Sequence, residues 1–360
     1  MRNPDLVIEG EDRMKIVAVA LLMVTTVLFP VLDLKAEGES SHPFQERHLS
    51  NIRQLTFGGK NAEAYFSFDG KKLIFQATRD GFQCDQIFMM NADGSDVRRV
   101  STGKGQTTCA YFFPGDESIL YSSTHHIHPD CPPAPPRGKR FIWPLHRFDI
   151  FRSKIDGSDL KRLTSTGSYN AEATVSKEGR IVFTSLREGD LDIYVMNADG
   201  SGVKRLTRQK GYDGGPFFSS DGKMIVYRAF HPTDAKEIEE YEKNIAMKQV
   251  VGGRLDLFVM KSDGSDQRQV TNNGASNFCP FFHPSGNQII FSSNLHAPGG
   301  REFNLYLINT DSTGFERITF HPGFDAFPMF SPDGKKLVFV SNRNAKEPGE
   351  FNIFLADWIP

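Results

Sequence analysis

Hydrophobic and polar residues alternate in short runs along most of this chain, and tight turns join successive runs. Residues 330–343 show the pattern most clearly: an aromatic strand end, the turn Pro332-Asp333-Gly334, and a second run with alternating apolar residues. Proline presets φ at the first central position of such a turn, and glycine supplies the positive φ that its end requires. The pattern predicts a β-hairpin.

The hairpin pattern recurs along the chain, which predicts a repeat protein. Its copies lie at residues 66–75, 112–121, 175–183, 218–227, 282–291 and 330–339. A third apolar strand follows each copy, at 87–90, 150–153, 193–196, 257–260, 305–308 and 353–355. Short segments with charged residues on one side follow the third strands, at 97–101, 160–164, 203–207, 267–271 and 315–319. Charged residues suit the outermost strand of a sheet because they discourage pairing with a foreign strand.

The last copy lacks this outermost strand, and the N-terminal segment 51–56 (Asn-Ile-Arg-Gln-Leu-Thr) matches its pattern. We therefore predict an all-β protein, a six-bladed β-propeller of four-stranded antiparallel blades over residues 51–360. Strand 51–56 joins the last blade and closes the ring. We expect a monomer.

The N-terminus has a different character. An apolar run at 16–32 follows Arg13 and Lys15 and precedes a polar stretch at 37–41, a pattern typical of an export signal. The acidic residues within 1–12 suit such a signal badly, so we expect the true start to be Met14. Residues 1–36 are interpreted as a signal peptide or, in the alternative, an uncleaved anchor, and 37–50 as a linker. The protein is then periplasmic or secreted, and it contacts a membrane only if this segment is retained.

Charge excludes one class of partner. Lysine and arginine number 42 and aspartate and glutamate 44, so the chain has no excess of positive charge with which to bind a polyanion. We expect no nucleic-acid partner.

The repeats resemble those of the TolB-like propeller family. The matching segments are Arg-Leu-Thr at 162–164 and 205–207, Phe-Ser-Pro-Asp-Gly-Lys at 330–335, and Tyr-Val-Met-Asn-Ala-Asp-Gly-Ser at 194–201. The resemblance covers residues 51–360 and implies an extracytoplasmic propeller. It does not extend to the separate α/β domain that precedes the propeller in TolB itself. Propeller peptidases have similar blades, but no Gly-x-Ser-x-Gly motif occurs here.

Two columns of polar residues are predicted to meet at one face of the propeller. Aligning the repeats places Asn61, Thr107, Asn170, Asp213, Asn277 and Asp325 at the start of the innermost strands. A second column follows the second strands and contains Arg79, His125, Arg187, His231, Leu295 with its neighbour His296, and Arg343. We interpret the arginines as a structural ring, paired with carboxylates such as Glu63, Glu172, Asp213 and Asp325 on the adjacent blade.

Three insertions join second to third strands and should emerge on the same face. They are residues 125–147, 232–253 and 297–301, and the second begins with Asp234, the expected N-cap of a helix reaching about Gln249. Because long loops on a rigid scaffold often bind ligands, we predict a ligand site here. Its residues are His125, His231, His296, Asp213, Asn277 and Trp143. We expect replacement of His125 and His231 to abolish binding with little loss of stability.

The first functional interpretation is an exported, non-catalytic propeller that binds a protein, peptide or glycan on the insertion-bearing face. The alternative is a metal-dependent polysaccharide lyase or hydrolase centred at the channel mouth. Oligogalacturonate lyases, which the chain resembles only at the level of fold, hold a divalent metal with histidines in such a mouth. A divalent metal bound by His125, His231 and His296 is therefore the one cofactor considered. His125, His126 and His128 with Asp130 form either a local metal site or a polar loop.

Four cysteines are present, and two share the insertion face. Cys84 and Cys131 both lie between second and third strands of adjacent blades, so we predict a disulfide between them. Cys109 and Cys279 lie at equivalent positions of opposite blades, with the channel between them, and should be free thiols.

Overall fold

A computed structural model of the chain describes residues 46–134 and 141–360. The predicted export segment (1–36) and most of the predicted linker (37–50) lie outside the described residues. In chain order the strands are β1 (Leu49–Gln54), β2 (Lys60–Phe66), β3 (Lys72–Thr78), β4 (Gln86–Asn91), β5 (Arg98–Arg99), β6 (Thr107–Phe112), β7 (Ser118–Ser123), β8 (Ile142–Pro144), β9 (Asp149–Lys154), β10 (Lys161–Arg162), β11 (Asn170–Val175), β12 (Ile181–Ser185), β13 (Asp192–Met196), β14 (Lys204–Arg205), β15 (Tyr212–Phe218), β16 (Met224–Phe230), β17 (Gln249–Val251), β18 (Asp256–Lys261), β19 (Arg268–Gln269), β20 (Asn277–Phe282), β21 (Gln288–Ser293), β22 (Asn304–Asn309), β23 (Glu316–Arg317), β24 (Asp325–Phe330), β25 (Lys336–Ser341) and β26 (Asn352–Trp358). The helix α1 (Ala235–Ala246) lies between β16 and β17.

These strands form a six-bladed β-propeller, as the repeats predicted. Blades one to five are the sheets β2-β3-β4-β5, β6-β7-β9-β10, β11-β12-β13-β14, β15-β16-β18-β19 and β20-β21-β22-β23. In blade six β24, β25 and β26 are followed by β1, which pairs antiparallel with β26 from Leu49↔Trp358 to Gln54↔Phe354. The closing strand is confirmed, although it begins two residues earlier than position 51.

Side-chain hydrogen bonds within each turn stabilise the hairpin turns. In blade six the Ser331 hydroxyl donates to Asp333 Oδ1 (2.6 Å), and the same oxygen accepts the backbone N–H of Lys335 (3.1 Å). Gly334 then takes a φ of 71°, which costs a glycine little. The equivalent serine–aspartate bonds recur in blades one and four, so the acidic residues of these turns serve the fold.

The Arg-Leu-Thr segments tie each outermost strand to the start of the third strand. In blade two the Thr164 hydroxyl donates to Asp149 Oδ1 (2.7 Å) and accepts the backbone N–H of Ile150 (2.9 Å). Arg162 donates to the other oxygen of Asp149 (3.0 Å). In each blade a third-strand backbone N–H donates to the hydroxyl of the equivalent threonine or serine. In blade two the bonds from Thr164 and Arg162 satisfy the buried carboxylate of Asp149, which burial would otherwise penalise.

Every innermost strand contains a β-bulge. The pairing register shifts after the second or third residue of the strand, for example between Ala62 and Tyr65 in blade one. A bulge inserts one residue and changes which side chains face the partner strand. The inserted residues have φ between 50° and 58°; they are Glu63, Cys109, Glu172, Gly215, Cys279 and Phe327.

The insertions of blades two and four are joined to each other. Strand β8 pairs antiparallel with β17, with Trp143 opposite Val250, and we call this pair the ribbon. The helix α1 starts at the N-cap Asp234, whose carboxylate accepts the N–H groups of Lys236 and Glu237. It ends at Ala246, short of the predicted Gln249, which instead begins β17. None of the helical structure in the described ranges is long and apolar enough to span a lipid bilayer.

The helix α1 is fixed to blade three. Tyr241 is buried, and its hydroxyl lies within hydrogen-bond distance of Asp190 Oδ1 (2.5 Å) and the carbonyl oxygen of Gly211 (2.7 Å). Tyr241 and the partly buried Val250 pack against a cluster that includes Leu191 of blade three. The insertion is therefore part of the packed structure and holds the ribbon in place.

Candidate functional site

The arginine and histidine residues of the predicted second column occupy equivalent positions in the six blades. In all six blades its side chain lies over the aromatic residue of the third strand. The ring–ring or guanidinium–ring distances are 5.8 Å for Arg79–Phe88, 4.3 Å for His125–Phe151, 4.7 Å for Arg187–Tyr194, 5.0 Å for His231–Phe258, 5.9 Å for His296–Tyr306 and 5.8 Å for Arg343–Phe354. Histidine therefore replaces arginine in the same packing role.

Each of the three histidines also bonds within its own blade. His125 Nδ1 lies 2.7 Å from the Ser123 hydroxyl, and His231 Nε2 lies 2.9 Å from Asp213 Oδ1. His296 Nδ1 lies 2.5 Å from the Tyr306 hydroxyl. Burial lowers the pKa of His125 and of His296. Over residues 46–134 and 141–360, no three His, Cys, Asp or Glu side chains are placed to share a metal ion, so the three histidines do not converge.

The remaining residues of the predicted ligand site separate into two groups. Asp213 and Asn277 are wholly buried. Asn277 donates to the carbonyl of Leu255 on the preceding blade (2.9 Å) and accepts from the Ser293 hydroxyl (2.7 Å). These two side chains therefore link strands and do not face a ligand. Trp143 is different, because it lies on the wall of the central channel.

The predicted ring of ion pairs needs correction. Arg343 does bond Asp325 (2.9 Å), but within blade six rather than across to the next blade. Arg187 bonds Asn170 of its own blade (3.0 Å), and the ion pair of Arg79 is with the exposed Asp80. The arginine column cannot reach Glu63 and Glu172, because the bulge turns both carboxylates into the channel.

The six bulge residues line a small cavity in the channel, of about 20 Å³. Tyr65 and Phe217 of the innermost strands, Arg228 of β16 and Trp143 of the ribbon complete its wall. Non-glycine residues with positive φ are uncommon, and five occupy equivalent positions here. Such local strain, maintained around one cavity, is typical of functional positions.

A buried ion pair occupies one side of this cavity. Arg228 of blade four donates through Nη2 to Glu172 of blade three, and through Nε to the Tyr212 hydroxyl (2.9 Å). Glu172 Oε2 also accepts the Gly215 N–H (2.8 Å) and the Thr184 hydroxyl (2.7 Å). Its charge is therefore fully compensated.

The indole of Trp143 lies over this ion pair. The guanidinium carbon of Arg228 is 5.0 Å from the ring centroid, within the range of a cation–π contact. Because Trp143 belongs to the ribbon, the insertions of blades two and four cover the cavity.

Glu63 forms no ion pair with any of the described residues, although the nearby charge of Arg228 favours its ionised form. Its carboxylate is buried, and burial raises its pKa to about 7, with the nearby charge of Glu172 acting in the same direction. A hydrogen bond from the Cys109 thiol opposes this rise. Burial also raises the pKa of both thiols, Cys109 and Cys279, well above its usual range, so neither is an activated nucleophile.

Sequence reasoning missed Arg228, Tyr212 and the channel position of Glu63. One signal was available, the pair Gly214-Gly215 inside an otherwise hydrophobic strand. A Cβ at Gly215 would collide with the Arg228 guanidinium, and one at Gly214 with the Tyr212 hydroxyl. Glycine within a strand often marks a bulge or the close approach of another group.

The structure contains a disulfide between Cys84 and Cys131, the pair expected from their shared face. It joins the loop between β3 and β4 to the insertion of blade two. Cys109 and Cys279 are free and buried.

Comparison with known proteins identifies the fold. No protein-family model matches the sequence, and a search of curated proteins found no match. A TolB-type protein from Agrobacterium tumefaciens superposes with a TM-score of 0.57 at 17% identity, covering 86% of this chain and 97% of that one. TolB from Acinetobacter baumannii gives a TM-score of 0.53 at 18% identity, covering 84% of this chain and 64% of that one.

An enzyme shares the fold as well. A gluconolactonase from Xanthomonas campestris superposes with a TM-score of 0.56 at 14% identity, covering 86% of this chain and 89% of that one. At such identities the likeness extends to fold and not to activity. The chain is a six-bladed β-propeller structurally similar to the propeller of TolB.

Proposed function

We propose that this protein is an exported, non-catalytic propeller that binds a protein or peptide partner on the face carrying the ribbon. One observation supports this above others. The ribbon covers the channel cavity and leaves about 20 Å³ inside, while its own end presents Phe141 with 67% of the side chain exposed. A macromolecular ligand can therefore contact the outside of the insertions but has no room within the channel.

The composition of this surface suits a protein partner. On the insertions Ile127 is 46% exposed and Met247 52% exposed, in addition to Phe141. The exposed cations Arg147 and Lys248 lie on the same insertions. Exposed apolar side chains with a charged surround are typical of protein interaction sites.

Rigidity supports the same proposal. Tyr241 fixes α1 to blade three, and the Cys84–Cys131 disulfide fixes the start of the other insertion. A partner would then bind a surface that is already ordered and would lose little conformational entropy.

Export is the other part of the proposal. The disulfide supports it, because disulfides persist in oxidising compartments outside the cytoplasm. The alternative of a metal-dependent lyase has no comparable support, since its three histidines each bond within a separate blade.

Site-specific photocrosslinking in the native host tests the binding face. A photoreactive phenylalanine analogue at position 141 or 247 should produce a discrete adduct with the same partner. Val203, 43% exposed and following a turn between third and fourth strands on the opposite face, is the matched control and should produce none. Adducts at 203 but not at 141 or 247 would place the partner elsewhere and contradict the proposal.

A further inference from the structure

We propose that a cleft on the blade-two insertion binds an acidic segment of the protein partner, an extended peptide in which a carboxylate lies beside an apolar side chain. This inference rests on the partner surface proposed above and specifies which part of the partner that surface recognises. It is supported by the size of the cleft, the chemistry of its walls and the charge of the insertion.

The cleft lies between residues 127–133 and 145–147 and encloses about 450 Å³. Sites for small ligands usually enclose about 300–1,000 Å³, so a few residues of an extended peptide can enter this one. The channel cavity, at about 20 Å³, has no such room. The proposed site consists of described residues, and 135–140 are not part of it.

One wall of the cleft is aliphatic. Ile127, Pro132, Pro133 and Leu145 line it, and Ile127 is 46% exposed. An apolar side chain that covers these residues removes their surface from water, which favours binding. A sugar acid would instead place hydroxyl groups against this wall without hydrogen-bond partners, so the wall favours a peptide over a glycan.

The polar groups of the cleft suit a carboxylate. Arg147 is exposed and lines the cleft, and a guanidinium binds a carboxylate through two parallel hydrogen bonds. The imidazoles of His128 and His146 add N–H donors. The acidic residue Asp130 also lines the cleft, but its carboxylate lies 3.4 Å from His128 Nδ1 and pairs with that imidazole when it is protonated.

The insertion as a whole is basic, although the chain has a formal net charge of -2. Residues 125–147 contain one acidic residue and four Lys or Arg residues, at 137, 139, 140 and 147. The insertion of blade four, 232–253, has the opposite balance, with five acidic residues and three lysines. An acidic segment is therefore attracted to the blade-two side of the face, and this attraction orients the partner.

The cleft is already formed in the free protein. The N–H of Gly105 donates to the carbonyl of Pro129 (2.6 Å), which fixes one end of the loop to blade two. The Cys84–Cys131 disulfide holds the next residues, and Pro132-Pro133 restricts rotation of the backbone. A peptide can therefore bind without first ordering this loop, which favours affinity.

Photocrosslinking in the native host tests the cleft separately from the rest of the face. A photoreactive phenylalanine analogue at position 127 or 133 should capture the same partner as positions 141 and 247. Mass spectrometry of the adduct should place the cross-link within about three residues of an aspartate, a glutamate or the C-terminal carboxylate of the partner, because an extended chain advances only about 3.4 Å per residue.

Charge reversal tests the role of Arg147. With the purified partner, Arg147→Glu should weaken binding at least about tenfold, because a carboxylate then faces a carboxylate. Lys236→Glu is the matched control, since it makes the same change of charge at an exposed lysine of α1 outside the cleft. It should change Kd by less than about threefold, because salt screens distant surface charges. Equal weakening by the two variants would mean that net charge alone attracts the partner, and this would overturn the assignment.

The outcomes separate this inference from the proposed function. Adducts at 141 and 247 but not at 127 or 133 would leave the partner surface in place and overturn the cleft. A cross-link to a partner segment without a carboxylate, to residues 135–140 of this chain or to a glycan would overturn it as well. If none of these positions captures a partner, the proposed function fails and the cleft assignment fails with it.

Discussion

Arg228 and Glu172 form a buried ion pair across the seam between blades four and three. The two side chains are only 6% and 4% exposed, and the Arg228 guanidinium lies beneath the indole of Trp143. Removing one member of such a pair leaves an uncompensated charge, which costs more than removing both.

We expect Arg228→Met to lower the free energy of unfolding by about 3–5 kcal/mol, measured by urea denaturation. The double variant Arg228→Met/Glu172→Met should be less destabilised than the single one. Arg254→Met is the control, because Arg254 pairs with Glu237 at 3.7 Å on the surface and should cost about 1 kcal/mol or less. A double variant less stable than Arg228→Met alone would show that packing, and not charge, dominates this seam.

The structure also changes the expectation for the histidines. His231 bonds Asp213, whose other oxygen already has no partner among the described residues. His231→Ala should therefore cost about 1–3 kcal/mol, contrary to the sequence-based expectation of little change. His296→Ala is the matched control, because the His296 side chain is more exposed than that of His231 and, among the described residues, it bonds a tyrosine hydroxyl rather than a carboxylate. Equal Tm values for the two variants would show that the Asp213 bond is unimportant.

Glu63 makes stability depend on pH in a defined direction. Its folded pKa of about 7 lies above the ordinary value of 4.5 because burial disfavours the charged form. The protonated carboxyl is thus favoured in the folded state below pH 4.5, and this contribution is lost as pH rises through 7.

Relative to Glu63→Gln, the wild-type protein should therefore lose up to about 3 kcal/mol of unfolding free energy between pH 4.5 and pH 8. The measurement is urea denaturation of both proteins across this pH range. Parallel pH profiles for the two proteins would mean that Glu63 does not titrate in this range.

The disulfide should stabilise the protein mainly by restricting the unfolded chain. Cys84 and Cys131 are 47 residues apart, and closing a loop of that length is worth at most about 4 kcal/mol in the chain-entropy description. Reductant should lower the Tm of the wild-type protein but not that of Cys84→Ser/Cys131→Ser. Peptide mapping without reduction should recover Cys84 linked to Cys131, with Cys109 and Cys279 as free thiols. A Cys109–Cys279 linkage would contradict the structure.

The repeat made the fold predictable, and the bulge explains why the site was not. From the sequence we expected Glu63 and Glu172 to pair with the arginine column of the adjacent blade. One inserted residue in each innermost strand changes this assignment and turns both carboxylates into the channel. The bulge depends on how the strand backbones pair. The sequence indicates it only weakly, through features such as Gly214-Gly215.

The histidines show a second limit. Their column was found by counting from the turns, but their partners were not, because partners depend on side-chain directions across strands. Asp213 and His231 were both singled out as ligand contacts, and they bond each other instead. Polar residues that satisfy one another inside a blade resemble a binding site when only their identities are known.

Ring closure offers the last test. Strand β1 supplies the outermost strand of blade six, and the residues before it add contacts: the carboxylate of Glu46 pairs with Arg343 (3.2 Å), and the His48 ring stacks on Trp358 at 5.1 Å. A protein that starts at Glu46 keeps all of these, whereas one that starts at Phe57 exposes the paired edge of β26.

We expect the first truncation to retain the Tm of the protein that starts at Glu37. The second should melt at least about 10 °C lower and scatter light on heating, because an unpaired strand edge recruits other chains. Glu46→Gln removes the ion pair with Arg343 but leaves strand β1 in place. It should lower the free energy of unfolding by about 1 kcal/mol or less, since Arg343 still pairs with Asp325. If the truncation at Phe57 melts with the longer proteins, the seam does not hold the ring together, and closure must depend on the packing between blades six and one.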